Sequence, residues 1–260
     1  MIFDTHAHYD DRAFDEDREE VIARIFDSGV GFVMNIGADL ASSLSTVMLA
    51  QKYDRIYAAV GIHPESFEEA DEHGITVLKD LIKSTDRVKA VGEIGIDLHY
   101  DRDSLEKQKE AFVRQWDLAD EFGLPVIIHS RDAAQVTYDI VKERYERTGK
   151  PLNAVMHCYS YEKEQAVEYT KMGLYIGVGG VLTFKNGRKL AEAVKAVPMD
   201  KILIETDCPY LAPEPFRGKR NDSSYLKKVV AELAVIRGIS EQEAEDITFA
   251  NAEKFYAIEG

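Results

Sequence analysis

Positive charge is scarce in this chain. Against 47 aspartates and glutamates stand only 32 lysines and arginines, a formal net charge of −15 over 260 residues. A surface of that sign excludes broad electrostatic adhesion to nucleic acid, which rests on basic side chains neutralising phosphates. Any phosphate-bearing partner must be met by a local basic patch or by metal ions. Cysteine is nearly absent too, with only Cys158 and Cys208, which excludes a disulfide framework and favours a reducing compartment. Each cysteine follows a candidate ligand by one residue, so strand alternation is expected to turn it to the opposite face as a packed residue. No apolar run approaches the roughly 18 residues needed to span a bilayer, and there is no low-complexity tract or internal repeat. The opening MIFDTHAH has neither the basic nor the apolar region of a signal peptide, and a cytoplasmic, membrane-free protein is expected.

What is present is a regular alternation. Short β-branched or apolar runs recur near Ile2, Gly31 to Ile36, Ile56 to Gly61, Val88 to Glu93, Pro125 to His129, Ala154 to His157, Leu174 to Val178 and Ile202 to Glu205. Between them lie helical patterns with stop signals: Asp17 to Phe26 before Gly29, Leu105 to Phe122 before Gly123, and Ala133 to Tyr145 before Gly149. A helical pair, Ser223 to Arg237 and Glu241 to Tyr256, ends the pattern, and Ser240 to Glu243 has the form of a capping box. Strands alternating with helices predict a parallel sheet. Eight such units fit an α/β fold of the (β/α)8 TIM barrel type, in one domain over residues 1–260, although alternation alone also permits a doubly wound sheet.

The chemistry favours the barrel. His6 and His8 sit two apart at the end of the first strand, where period two puts both imidazoles on one face. Glu93, His129 and His157 end the fourth, fifth and sixth strands, and Asp207 follows the eighth. Isolated buried carboxylates are costly without pairing or coordination, so six ionisable groups at the same end of separate strands predict metal binding. Four histidines and two carboxylates exceed the three or so protein ligands of one catalytic zinc, so two divalent ions are expected. A workable partition puts His6, His8 and Asp207 on one ion and His129 and His157 on the other, with Glu93 bridging. Ions about 3.5 to 4 Å apart can share a hydroxide nucleophile. Asp207 is a candidate proton acceptor for that nucleophile, its alternative being a helix N-cap. Asp4 and Glu205 lie two residues before His6 and Asp207 and suit an outer layer, orienting ligands or capping buried amides. Imidazole with carboxylate leaves the metal open among Mg²⁺, Mn²⁺, Zn²⁺ and their neighbours.

The series FDTHAHYD, VGIHPES, VGEIGID, PVIIHSRDA, MHCYS and IETDCPYLAP followed by RGKRN resembles the TatD family of metal-dependent deoxyribonucleases, within the amidohydrolase superfamily. The likeness runs from Ile2 to about Asn251, with the motifs in order. It implies a (β/α)8 barrel, a two-metal site and hydrolysis of phosphodiester bonds in DNA, often from 3′ to 5′, on single strands or 3′ ends. It assigns ligand roles to His6, His8, Glu93, His129, His157 and Asp207. His63 matches the family's G-x-H-P element and is expected to contact phosphate or leaving group. His73 and His99 fall outside the matched positions. Tyr161 stands where many relatives have glycine, and the stretch Asn221 to Ser224 lacks the family's usual Glu-Pro, two departures that bear on substrate choice.

Arg131, Arg217 and Arg220, with Lys219, Lys185 and Arg188 nearby, are the local basic groups such a substrate needs, Arg131 being suited to bidentate phosphate contact. Tyr9, Tyr100, Tyr159, Tyr161, Tyr210, Phe184 and Phe216 cluster at the same strand ends, where one or two are expected to stack a base. The sequence expectation is a metal-dependent hydrolase acting on DNA, with catalytic contributions from Asp207, Glu93, His63 and Glu205. Its rival is hydrolysis of a carbonyl substrate, such as an aminoacyl-tRNA ester, amide or lactone. A scaffold without catalysis would predict a broken ligand set, and no obligate protein partner is evident.

Overall fold

A chain that alternates extended apolar runs with amphipathic helices buries both apolar surfaces by laying the helices on a parallel sheet. In the computed structural model, which describes residues 1–258, the elements run β1 (Ile2–Ala7), α1 (Arg18–Asp27), β2 (Val30–Ile36), α2 (Leu40–Lys52), β3 (Ile56–Val60), α3 (Glu72–Ser84), β4 (Val88–Asp97) and α4 (Leu105–Phe122). They continue as β5 (Val126–Arg131), α5 (Ala134–Thr148), β6 (Ala154–Met156), α6 (Lys163–Lys171), β7 (Tyr175–Val178), α7 (Arg188–Ala196), β8 (Ile202–Ile204), α8 (Leu226–Arg237) and α9 (Glu241–Tyr256). The eight strands follow one another in the order β1 to β8, the (β/α)8 pattern. The expected span of 1–260 ends on two residues outside those described. No helix among the described residues is long and apolar enough to cross a membrane.

Local signals account for the helix ends. Asp39 caps α2 by accepting from the Ser42 amide, and Ser240 caps α9 by accepting from the Glu243 amide. Helices α4 and α5 stop at Gly123 and Gly149, both left-handed at φ of +65° and +61°. Strand ends depart from expectation in both directions. β4 runs on to Asp97, four residues past Glu93, while β6 stops at Met156 and β8 at Ile204. Cys158 and Asp207 have left-handed φ of +46° and +57°, which breaks the extended backbone. Cys158 therefore lies in a turn and Cys208 follows one as an isolated bridge residue outside the strands, so strand alternation does not set their direction: Cys208 is buried, Cys158 only half-buried.

The chain packs as two compact units. One comprises Met1–Asn35, Cys158–Thr170 and the chain from Tyr175 on; the other comprises Ile36–His157 and Lys171–Leu174. In the first, β1 pairs with β2 and β7 with β8, all parallel, and Ala7 bridges to Cys208. Helix α9 docks through aromatic rings, with Phe3 against Phe32 (centroids 5.6 Å apart) and Tyr256 (5.7 Å), and Phe32 against Phe249 (5.9 Å). In the second unit β3, β4, β5 and β6 form consecutive parallel pairs. Helix α4 buries Phe112, Trp116 and Ala119 there. Arg144 of α5 lies over the Trp116 ring and bonds Asp117 and Asp120 of α4. Two buried glutamines seven residues apart, hence on one face of α4, tie backbone polar groups of the strand ends. Gln115 accepts from the Ile62 amide and donates to its carbonyl, and Gln108 does the same for Asp97.

Candidate metal centre

In the first unit the alternation of β1 brings His6 and His8 together, their Nε2 atoms 3.2 Å apart. Asp207 Oδ1 lies 3.5 Å from His8 Nε2 and 3.9 Å from His6 Nε2. Backbone bonds set this meeting: the Asp207 amide donates to the His6 carbonyl and the His8 amide to that of Cys208, both at 2.9 Å. Beneath lies Asp4, fully buried. Its Oδ1 accepts from the amides of His6 and Thr206, and its Oδ2 from the hydroxyls of Thr206 and Ser223 at 2.6 Å each. Burial pushes the Asp4 carboxyl up to about 7, even against those four donors. Of the two roles the sequence left open for Asp4, the structure shows the capping one, since its partners are backbone and hydroxyl groups. Asn221 donates to the carbonyls of Thr206 and Tyr210, and Tyr9 is buried with its hydroxyl on Ser223. The Asn221 to Ser224 stretch thus braces the Asp207 turn from within. Glu205 is buried as well, and its Oε1 accepts from the Cys158 amide at 2.6 Å. Only glycine at 177 leaves room for it, because a Cβ there would stand 2.5 Å from Glu205 Oε2.

In the second unit Glu93 Oε2 lies 3.4 Å from His129 Nδ1 and 3.7 Å from His157 Nε2. β4 meets β5 so closely here that a Cβ on Gly95, where φ is +150°, would fall 1.9 Å from the His129 carbonyl. Glu93, Gly95 and Asp97 share a face by alternation, and Asp97 Oδ2 lies 2.9 Å from His129 Nε2. This residue was missed in the sequence because β4 was ended at Glu93; its signal is the final aspartate of VGEIGID. Asp97 is pinned by Gln108 on its backbone and by the His99 amide on Oδ1. Burial acts to lower the His129 imidazole, but bonds to Asp97 and Glu93 outweigh it and raise it to about 9; burial likewise opposes the ionised Asp97, and the His129 bond holds that carboxyl below its usual value. With Nε2 on Asp97, Nδ1 is the His129 atom that faces Glu93.

The His6, His8 and Asp207 cluster has the dimensions of a coordination shell, and in the second unit His129 and His157 each stand at such spacing from Glu93. Ligand bonds of about 2.1 Å in a tetrahedron put ligand atoms about 3.4 Å apart, against the 3.2 to 3.9 Å found around His8 and the 3.4 and 3.7 Å around Glu93. Nitrogen and carboxylate donors at such spacing suit divalent ions of the zinc and manganese type.

Of the remaining expected residues, His63 lies with Asp97 and His129 in the second unit and the others are dispersed. His63 caps the turn Pro64–Glu69, its Nδ1 accepting from the Glu65 amide, and its ring meets His129 edge-on at 4.3 Å. Arg131 is exposed with its guanidinium over the Tyr100 ring, and Arg217 lies over Phe184. Arg220 is engaged elsewhere, bonding both carboxylate oxygens of Asp17 at 2.8 and 2.6 Å. His99 pairs with Asp132, and His73 is exposed on α3. Tyr159 donates to the Glu162 carbonyl and meets Tyr161 edge-on, and Phe216 stacks on Tyr225. Tyr100 and Tyr210 remain exposed, at 72% and 56%.

The profile of a family described as TatD related DNase matches residues 3–257. The chain is 41% identical over 258 residues to the uncharacterized metal-dependent hydrolase YabD of Bacillus subtilis (strain 168), covering 99% of this chain and 100% of that protein. It is 32% identical to the 3′-5′ ssDNA/RNA exonuclease TatD of Citrobacter rodentium (strain ICC168), covering 99% and 98%. The crystal structure of YjjV, a TatD homologue from Escherichia coli K12, superposes with a TM-score of 0.91 at 28% identity, covering 99% of this chain and 98% of that one. The strand order and this likeness identify the fold as a (β/α)8 TIM barrel. By its matched profile and its relatives, the chain belongs to the TatD-related family of metal-dependent hydrolases.

Proposed function

We propose that this protein hydrolyses phosphodiester bonds in DNA, as an exodeoxyribonuclease acting from 3′ to 5′ on single strands or 3′ ends, with two divalent ions (Mg²⁺, Mn²⁺ or Zn²⁺). The observation that carries the reading is the His6, His8 and Asp207 cluster with coordination-shell spacing, beside a Glu93 flanked by His129 and His157 at 3.4 and 3.7 Å, in a chain 32% identical to a protein named for 3′-5′ exonuclease action. One ion is assigned to His6, His8 and Asp207, the other to Glu93, His129 and His157. Such ions, when bound, polarise phosphoryl oxygens and make water a nucleophile near neutral pH. Asp207 takes the proton of the attacking water on a carboxylate oxygen and returns it to the leaving 3′ oxygen, a contribution of about 10²- to 10⁴-fold. Asp97 holds the His129 ring so that Nδ1 faces its ligand position. Glu205 contributes through the backbone, fixing the turn that follows His157. His63 contacts the phosphate, and Arg131 and Arg217 neutralise flanking phosphates. Arg220 contributes in that way only by exchanging Asp17 for substrate. The low cysteine content, two in 260 residues, fits a reducing cytoplasm.

The test is release of mononucleotides from 3′-labelled single-stranded DNA with added Mg²⁺ or Mn²⁺. Activity is expected, and it is expected to vanish with chelator, with Glu93→Ala and with Asp207→Asn. No release from a protein carrying two ions overturns the nuclease reading and turns attention to aminoacyl esters and lactones.

A further inference from the structure

Beside the second cluster, within the same unit, lies a recess of about 200 Å³ that the mechanism above does not use. Its walls include Glu65, Phe67, Asp97, Tyr100 and Asp101. The recess is one side chain from the candidate metal ligands, because Asp97 lines it while bonding His129, and Glu65 follows His63 by two residues. Its polar character is one-sided. Three carboxylates face it, and among the described residues no lysine or arginine lines it. The other polar groups are already used: Gln108 is spent on the Asp97 backbone and on Ser104, and Asp101 Oδ1 accepts from the amides of Asp103 and Ser104. Glu65, whose Oε2 stands 3.9 Å from His63 Nδ1, and Asp101 still present carboxylate lone pairs to an occupant.

A phosphate cannot lodge against three carboxylates without a cation. A flat neutral group that donates hydrogen bonds can. Tyr100 supplies the platform, 72% exposed, with the Arg131 guanidinium 5.3 Å from its ring centroid and the His99 ring set edge-on to it at 4.6 Å. An aromatic face beside a lone guanidinium suits a base joined to a phosphate, the base on the ring and the phosphate on the arginine. Acceptor-only walls select among bases. Cytosine, adenine and guanine carry exocyclic amino groups, and a carboxylate accepts from such a group as it does from cytosine N4; thymine has none.

We propose that this recess is a nucleobase subsite for the nucleotide beside the scissile phosphate, favouring bases that carry an amino group. The proposal rests on the nucleic-acid reading of the metal clusters, and its test separates the two. Calorimetric titration of the metal-loaded protein with dCMP, dTMP and deoxyribose 5-phosphate reads the subsite without catalysis. dCMP is expected to bind about tenfold more tightly than the sugar phosphate, the contribution of one stacked base, and about fivefold more tightly than dTMP, the contribution of one amino–carboxylate bond. Tyr100→Ala, at a position 72% exposed, is expected to keep the fold and to bring dCMP down to the sugar phosphate. The double variant Glu65→Gln, Asp101→Asn is expected to remove the preference over dTMP while keeping the stack. Equal affinities for the three probes, or no binding of any, overturn the subsite even if bis(p-nitrophenyl) phosphate is hydrolysed, and the phosphodiesterase reading then stands alone. Preferential dCMP binding by a protein that cleaves no phosphodiester keeps the subsite and removes the nuclease.

Discussion

The cluster formed after β1 and β8 and the cluster formed after β4, β5 and β6 use the same kinds of donor but are held in place differently. In the first, support reaches the ligands through the backbone: Asp4 accepts the amides of His6 and Thr206, and the Asp207 amide donates to the His6 carbonyl. In the second, support reaches the imidazole itself, because Asp97 bonds His129 Nε2 while Gln108 fixes the Asp97 backbone. A backbone brace sets where a side chain starts; a bond to the ring also sets which nitrogen faces the ion. The first arrangement spends a buried carboxylate on folding, and the second spends one on ligand orientation.

The largest expected effects come from removing one ligand on each side. His8→Ala and His157→Ala should each leave one ion per chain, measured by metal analysis after gel filtration, where the intact chain is expected to hold two. Loss of an ion worth several kcal/mol to the transition state predicts a rate lower by about 10³-fold or more, at about 1.4 kcal/mol for each tenfold. If each variant loses both ions, the clusters do not bind separately. The supports should divide differently. Asp97→Asn is expected to weaken one ion about 10- to 100-fold in a competition titration, with little change in unfolding midpoint. Asp4→Ala strands two hydroxyls and two amides in a dry interior and is expected to cost about 3 kcal/mol or more in a urea titration of the metal-free protein. The reverse pattern, with Asp97 governing stability and Asp4 governing affinity, would sink the distinction.

How much of this was legible depended on the range of the signal. The eight strands and the bounds of α4 and α9 follow local periodicity and capping, so they could be read. The six candidate ligands stood out because strand ends carrying His, Glu or Asp have no inexpensive apolar neighbour to explain them. Asp97 was within reach, two alternation steps beyond Glu93, had β4 been carried through its second glycine. The brace on Asp4 was not, because its partners Thr206 and Ser223 lie about two hundred residues away and leave no period in the sequence. For the same reason Asn221 and Ser223 read as loop residues bearing on substrate, whereas they are buried beneath the Asp207 turn.

The smallest effects distinguish the two basic edges, Arg220 in the first unit and Arg131 in the second. Arg220 grips Asp17 with two bonds, donates to the Ala13 carbonyl and lies over Phe14, so its guanidinium is committed inward, whereas that of Arg131 touches only the exposed Tyr100 ring. Arg131→Ala is expected to raise KM for DNA about tenfold, the value of a charge-assisted contact, and to flatten the salt dependence of binding by about one unit of slope. Arg220→Ala should leave KM within about twofold and lower stability by less than about 1 kcal/mol, since the pair is solvent-screened. The pH dependence of that loss has a defined sign. The bond from Arg220 holds the Asp17 carboxyl below its usual value, so the pair stabilises the fold above the ordinary aspartate range and stops doing so as pH falls through the lowered value. Urea midpoints of the two proteins should therefore differ at neutral pH and converge in acid; a gap that persists in acid would assign the role of Arg220 to packing on Phe14 instead.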